Sequence, residues 1–397
     1  MGDNWRTKLI HSDAIVPGGF RSLAVPVYRG STTLFPRAEA LTDTWDHEEG
    51  PYSYGLFGTP TTLTLAARLA ELEGGYRTFI TPGGQAALVL VYFSCVAAGD
   101  HVLIPENVYG PSRAFADEVL RRYGAEVEFY PPLDVKGLAS RLRGNTRLVW
   151  CESPGSITME VQDVPAIAAA AHRGGALVAL DNTWAAGVFF DAFRHGADVT
   201  VQALTKYVGG HSDLLLGSVT MRDAALYRRI GSMHRHLGLG ASPDDCSLAL
   251  RGLQTLHVRL KEVERSALAV ASWLAARPEV EAVLHPALPS CPGHETWARD
   301  FSGSSGLFSV VFRPPAGRAQ LHAFVNRLQL FGIGYSWGGV ASLAVTPDLD
   351  AAPNARRYAG RLVRLHVGLE DPGDLIADLE GALAAMSPAP SGDRNGA

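Results

Sequence analysis

Between about residue 61 and residue 255, short apolar segments alternate with helical ones, and this alternation constrains the fold more than any other feature of the chain. Strands are expected at Thr78–Thr81, His101–Pro105, Glu126–Tyr130, Arg147–Cys151, Ala176–Leu180, Val199–Ala203 and Leu214–Val219. Helices are expected at Leu63–Leu72, Gln85–Val96, Ser112–Tyr123 and Val164–His172. Near-continuous apolar strands between amphipathic helices predict an α/β domain with a mostly parallel seven-stranded sheet covered on both faces. A long helical segment, Ser242 to Ala276, follows. Beyond it, strands at Leu307–Phe312 and Leu362–Val367 flank a helix near Ala319–Leu330, and a last helix covers Asp374–Met386. The expected organisation is an extended arm over 1–60, a large domain over 61–255, a smaller α+β domain over 256–386 and a disordered tail over 387–397.

Composition removes several classes of function. The 397 residues carry a formal net charge of -5 with no basic run, so nucleic acid is not an expected partner. The start, Met1-Gly2-Asp3-Asn4, is acidic and lacks the apolar stretch of a secretion signal. The longest apolar run, Ala86 to Ala98, is about 13 residues against the ~20 of a membrane span, and reads as a buried helix. The four cysteines, Cys95, Cys151, Cys246 and Cys291, form no C-x-x-C pair, so neither metal nor disulfide is expected and a reducing cytoplasm suits them.

Three segments carry chemistry. In Val201-Gln202-Ala203-Leu204-Thr205-Lys206-Tyr207 an apolar strand ends in Thr-Lys, with Gly209 and Gly210 close behind. Ligands of open parallel sheets bind beyond the carboxyl ends of the strands, which places Lys206 at a crevice. A solvated lysine is the ordinary alternative, but small apolar flanks suit a lysine of lowered pKa able to form a Schiff base. Asp181 closes another apolar strand, Ala176 to Leu180, one strand–helix–strand interval earlier. It either caps a helix or faces a pyridinium N–H. Thr81-Pro82-Gly83-Gly84-Gln85 joins a strand to a helix start, where backbone N–H groups bind phosphate. Such turns are common, and this one lacks the G-x-G-x-x-G of a dinucleotide site. Together the three favour a phosphorylated pyridine aldehyde.

The chain resembles the Cys/Met-metabolism pyridoxal-phosphate family, most closely its bacterial cystathionine β-lyases, from about Thr7 to Ala382. The likeness is densest over Glu152 to Val161, Asp181 to Gly187, Thr205 to Asp213, Tyr335 to Gly339 and Arg364 to Asp371. It implies the fold type I of aspartate aminotransferase and pyridoxal 5′-phosphate as cofactor. By resemblance Lys206 is the Schiff-base lysine and proton shuttle, Asp181 pairs with the pyridine nitrogen, and Tyr109 stacks on the ring. Gly84, Gln85 and Thr205 hold the phosphate. Arg364 clamps the substrate carboxylate, as a bidentate guanidinium can, and Ser336 and Trp337 line the substrate side. Tyr54 reaches a neighbouring subunit's phosphate, which makes a homodimer the minimal unit and a homotetramer the expected assembly. Core packing is the ordinary alternative for Tyr109 and Trp337, and a structural ion pair for Arg364.

The chain also departs from the family. Where relatives often read Tyr-x-Arg-Arg-Gly-Thr, it reads Tyr54-Gly55-Leu56-Phe57-Gly58-Thr59. Ala114 stands where some relatives carry an acid, and Gly339-Val340-Ala341-Ser342 lacks the glutamate common before that serine. All three changes make the pocket less polar, so the expected substrate is a thioether amino acid with a smaller or more apolar side chain than cystathionine. The expected reaction is α,β-elimination of cystathionine or a related S-substituted cysteine, giving a thiol, pyruvate and ammonia. A γ-lyase or γ-synthase on the same scaffold is the second reading, and a catalytically silent binding homologue the third.

Overall fold

A computed structural model describes residues 4–10, 22–47, 52–347, 353–384 and 386; the tail expected to be disordered lies outside them. The seven strands of the first sheet are β1 (Arg77–Thr81), β2 (His101–Pro105), β3 (Glu126–Tyr130), β4 (Thr146–Glu152), β5 (Leu177–Asp181), β6 (Val199–Ala203) and β7 (Gly217–Met221). Their order is β1-β7-β6-β5-β4-β2-β3. All pairs are parallel except those of β7, which runs antiparallel to both β1 and β6. The carboxyl ends of β1, β2, β4, β5 and β6 therefore lie along one edge. The seventh strand sits three residues later than expected, since Leu214 to Leu216 precede it.

The helices before the second sheet are α1 (Trp5–Ile10), α2 (Pro60–Glu73), α3 (Gly84–Cys95), α4 (Gly110–Phe115), α5 (Val135–Arg141), α6 (Val164–Arg173), α7 (Ala224–Leu237) and α8 (Pro243–Ala275). The apolar run expected as a buried helix is α3, whose Tyr92 stacks on the fully buried Trp150 at a centroid distance of 4.8 Å. The helix expected over Ser112–Tyr123 is divided: α4 gives way to one π-helical turn, Ala116–Leu120. No regular helix joins β5 to β6, which are linked by successive turns. Asp181 and Lys206 are thus separated by an irregular crossover, not by the strand–helix–strand unit expected. Helix α7 was not expected, although Asp223 caps its start and Gly238 closes it in the left-handed region.

The second sheet comprises β8 (Val280–Leu284), β9 (Leu307–Phe312), β10 (Gly332–Ile333), β11 (Leu343–Val345) and β12 (Leu362–His366), in the order β10-β11-β12-β9-β8. Helices α9 (His294–Asp300), α10 (Arg318–Arg327) and α11 (Pro372–Ala384) accompany it. The expected border between residues 255 and 256 falls inside α8. That helix starts on a Ser242 cap with Pro243 in its first turn, packs on α2, and continues unbroken to β8 and α11. The described part of the arm packs on its own chain: Trp5 meets His257 edge-on, and Trp45 lies on Phe79 and Tyr227.

Helix α8 also fixes the turn after β6. A Cβ at Gly252 would lie 2.1 Å from the Val208 carbonyl oxygen and 2.7 Å from that of Gly209. Gly252→Val is expected to push α8 off this turn and cost about 1–3 kcal/mol, the usual range for overpacking. A lowered melting temperature together with weaker cofactor retention would show it.

Candidate functional site

The carboxyl edge of the large sheet gathers most of the expected residues. Lys206 follows β6 in a turn closed by the Lys206 N–H donating to the Ala203 carbonyl and the Gly210 N–H to that of Lys206, at 3.1 and 2.7 Å. From behind, Arg259 of α8 donates to the carbonyls of Tyr207 and Gly252, both at 2.7 Å. In front, Lys206 Nζ donates to Ser336 Oγ at 2.5 Å and lies 5.3 Å from the centre of the Trp337 ring. Burial pulls the Lys206 amine down to about 8; the Arg364 guanidinium acts in the same direction and Asp181 opposes it. An amine of that pKa is a solvated lysine no longer.

Asp181 ends β5. Its Oδ1 accepts from the Thr183 N–H at 3.0 Å and from Thr183 Oγ1 at 2.5 Å, and Thr183 Oγ1 in turn accepts from the Ala203 N–H at 2.9 Å. No helix follows for Asp181 to cap, the expected alternative; one oxygen serves this turn, and among the described residues Oδ2 is left for another partner. Burial pushes the Asp181 carboxyl up, while Thr183 and Lys206 hold it down. Tyr109, 42% exposed, is not a core residue. Its ring lies within electrostatic reach of Glu152, Asp181 and Arg364.

The small sheet supplies the opposite wall. Arg364 of β12 donates to the Ser336 carbonyl oxygen at 3.5 Å and has no ion pair among the described residues, which removes the structural salt bridge as its explanation. Burial pulls it down to about 10, so it remains a cation at neutral pH. Ser336 adopts a positive φ of 77°. Trp337 is partly core, as the alternative had it: its ring lies 5.4 Å from that of Tyr207. His366, for which the sequence suggests no role, accepts at Nε2 from the Gly338 N–H at 3.1 Å and so anchors the Ser336–Trp337 loop to β12.

The glycine turn after β1 has the shape of a phosphate cradle. A Cβ at Gly84 would meet that of Ala203 at 2.7 Å, and the first N–H groups of α3 have no partner within the helix. Gln85 Oε1 is buried with no hydrogen-bond partner. The Thr205 hydroxyl lies nearby but is engaged with the Leu216 peptide, at 3.2 Å in both directions. Tyr54 and Phe57 stand apart. Tyr54 is 47% exposed, its ring meets that of Phe57 edge-on at 6.3 Å, and neither touches the Lys206 group among the described residues.

A lowered amine, a carboxyl with a free oxygen, an exposed aromatic face and a glycine-bound helix start fit a phosphorylated pyridine aldehyde. No group of three or more His, Cys, Asp or Glu among the described residues could hold a metal. All four cysteines are buried and unbridged, and no described helix is long and apolar enough to cross a membrane.

The doubly wound large sheet, the second sheet and this site define a fold type I pyridoxal-phosphate enzyme. Residues 6–384 match the family described as Cys/Met metabolism PLP-dependent enzyme, and the chain belongs to it. A Rhizobium johnstonii protein bearing a provisional cystathionine beta-lyase name is 45% identical over 97% of both chains. The cystathionine beta-lyase MetC of Escherichia coli is 41% identical over 91% of this chain and 93% of its own. The crystal structure of metB from Corynebacterium glutamicum superposes with a TM-score of 0.89 at 29% identity, covering 97% of this chain and 98% of that one. The cofactor is pyridoxal 5′-phosphate and the substrate an amino acid.

The site predicts a pH profile. In cofactor-free protein the rate of covalent capture of pyridoxal 5′-phosphate by Lys206 is expected to rise with pH as the amine loses its proton and to level off above about 8. A rise continuing to about 10, the range of an ordinary lysine, would show that burial has not lowered it.

Proposed function

We propose that this chain breaks the Cβ–S bond of an S-substituted cysteine whose distal group is smaller or more apolar than that of cystathionine. The observation that carries the chemistry is the Lys206 amine, placed beyond the end of β6, bonded to the neutral Ser336 hydroxyl and set 5.3 Å from the Trp337 ring, with burial and Arg364 favouring its free-base form. The bound cofactor supplies an electron sink for the substrate's α-carbon. Arg364 binds and orients the substrate carboxylate, and Ser336 and Trp337 bound the space beside it. Lys206 Nζ takes the α-proton. The electron pair of the Cβ–S bond leaves with sulfur as a thiolate, and the released 2-aminoacrylate hydrolyses to pyruvate and ammonia. Asp181 would hold the pyridine nitrogen, Tyr109 would cover the ring, and Gly84, Gln85 and Thr205 would hold the phosphate.

Tyr54 and Phe57 act across a subunit boundary in this proposal. The exposed Tyr54 supports it, since a tyrosine that completes no site in its own chain is available to a second copy. The assembly is a homodimer at least, and a homotetramer by resemblance; the location is the cytoplasm. Leu56 and Phe57 present no cation to a substrate's far end. Leu56 packs towards Gly240, and the Arg235 guanidinium lies 5.9 Å from the centre of the Phe57 ring while paired with Asp43. At Leu56 and Phe57 themselves a distal amino-acid head meets hydrocarbon, and the nearby Arg235 is already engaged by Asp43.

Two measurements test this. S-alkyl or S-benzyl cysteines are expected to be turned over with a kcat/KM about ten-fold or more above that of cystathionine, releasing pyruvate; a preference for cystathionine would contradict the substrate class, and release of 2-oxobutyrate the position of elimination. Arg364→Ala is expected to lower kcat/KM by about 10- to 100-fold, as loss of a charged hydrogen-bonding partner does. An unchanged kcat/KM would remove Arg364 from the substrate site.

A further inference from the structure

A second carboxyl stands beside Asp181 with no role in the account above. Glu152 ends β4, and in the parallel β4–β5 pair its Cα is the register partner of that of Asp181. Paired residues of adjacent strands project from the same face of a sheet, so the two acids lie side by side. Glu152 is buried, and its hydrogen bonds lead to the loop over the site. Glu152 Oε2 accepts from the Tyr109 N–H at 2.7 Å, and the carboxyl lies within electrostatic reach of Ser156. The Glu152 N–H is held in turn by Gln162 Oε1 at 2.9 Å.

This places one side chain where two loops meet. The Ser156 N–H donates to the Asn107 carbonyl oxygen at 3.2 Å and Asn107 Nδ2 to Glu160 Oε2 at 3.3 Å, so the segment leading to Tyr109 is tied to the segment after β4 twice directly and once more through Glu152. A Cβ at Gly155 would lie 2.2 Å from the Asn107 side chain, so the two segments are in close contact beside Tyr109.

We propose that Glu152 is a positioning residue that fixes the Tyr109 ring over the cofactor site, and that it acts as a hydrogen-bonding group and not as a charge. The proposal rests on the reading of Tyr109 as the residue covering the ring. Two ionised carboxylates side by side in a buried site repel one another, and a neutral Glu152 leaves Asp181 as the one anion facing the pyridine nitrogen. Burial and the neighbouring Asp181 both push the Glu152 carboxyl well above the usual carboxylate range, in agreement.

The test compares Glu152→Gln, Glu152→Asp and Glu152→Met in the full chain. The readouts are the cofactor dissociation constant, the visible circular dichroism of the bound cofactor and the melting temperature. Glu152→Asp withdraws the acceptor from the Tyr109 N–H without emptying the site of an acid, and Glu152→Met fills the space without an acceptor. Both are expected to weaken cofactor binding about ten-fold or more and to reduce the visible dichroism. Glu152→Gln keeps an acceptor without a charge and is expected to restore both to within about three-fold of the native protein. Should Glu152→Met fail to fold, Glu152→Asp against Glu152→Gln decides. Three variants with native affinity and dichroism would overturn the proposal, as would Glu152→Gln behaving like Glu152→Asp, since a charge would then be required. Tyr109→Ala separates this from the reading beneath it. If Tyr109→Ala leaves the dichroism and affinity native, Tyr109 does not cover the ring; if it alone alters them, only the role of Glu152 fails.

Discussion

A reactive amine must be kept out of water without being paired away, and the structure around Lys206 is organised by that demand. A carboxylate in direct contact would raise its pKa, whereas here the contacting group is the neutral Ser336 hydroxyl and the nearer charges act in opposite senses. The turn that holds the amine is secured by a buried cation, Arg259, whose partners are carbonyl oxygens and the Thr255 hydroxyl. A buried guanidinium is costly unless its donors are met, and exposed carbonyls of a tight turn are suitable acceptors because they too need partners. Gly210, at a positive φ of 73°, leaves room for it: a Cβ there would fall 2.1 Å from Arg259 Nη1.

The same economy appears beneath the sheet. Glu73, buried at the end of α2, accepts from Thr200 Oγ1 at 2.8 Å and Thr220 Oγ1 at 3.0 Å, linking the helix to β6 and β7. Further along, Asp198 accepts from the Val178 N–H at 2.8 Å and lies 2.8 Å from His172 Nε2. Acids placed at the ends of elements in this way tie neighbouring elements together through directional bonds that apolar packing lacks: Glu73 joins α2 to β6 and β7, and Asp198 joins the start of β6 to β5.

The two sheets meet at the site, and each supplies what the other does not. The large sheet provides strand ends and a helix start, places where backbone donors and the strand carboxyl termini leave groups unpaired. The small sheet provides Arg364 and, through His366, the loop bearing Ser336 and Trp337. Helix α8 packs on α2 and on β8 and α11, and direct bonds such as the Gly306 N–H to Tyr207 Oη at 2.9 Å also join the elements that carry Lys206 and Arg364. Glu370 accepts from the Ser342 N–H at 2.7 Å and from Ser342 Oγ at 2.8 Å, supplying the serine with a carboxylate although this chain lacks the glutamate common before it in relatives.

The sequence alone determined the elements with strong local periodicity: six of the seven large-sheet strands to within a residue or two, the buried helix α3, and Lys206, Asp181 and Gly84 at strand ends and a helix start. Backbone hydrogen bonding and burial write those features into a few consecutive residues, so they can be read from them. The short strands β8, β10 and β11 left no such trace, because Glu281 interrupts the apolar run of β8 and the other two contain only two or three residues. Tertiary structure alone decided which distant side chains meet: Glu152 with the Tyr109 peptide, Arg259 with the Lys206 turn, His366 with the loop at Gly338. Those contacts join positions dozens of residues apart, and their energy depends on distances set by packing between sheets and helices, which no local pattern in the chain encodes.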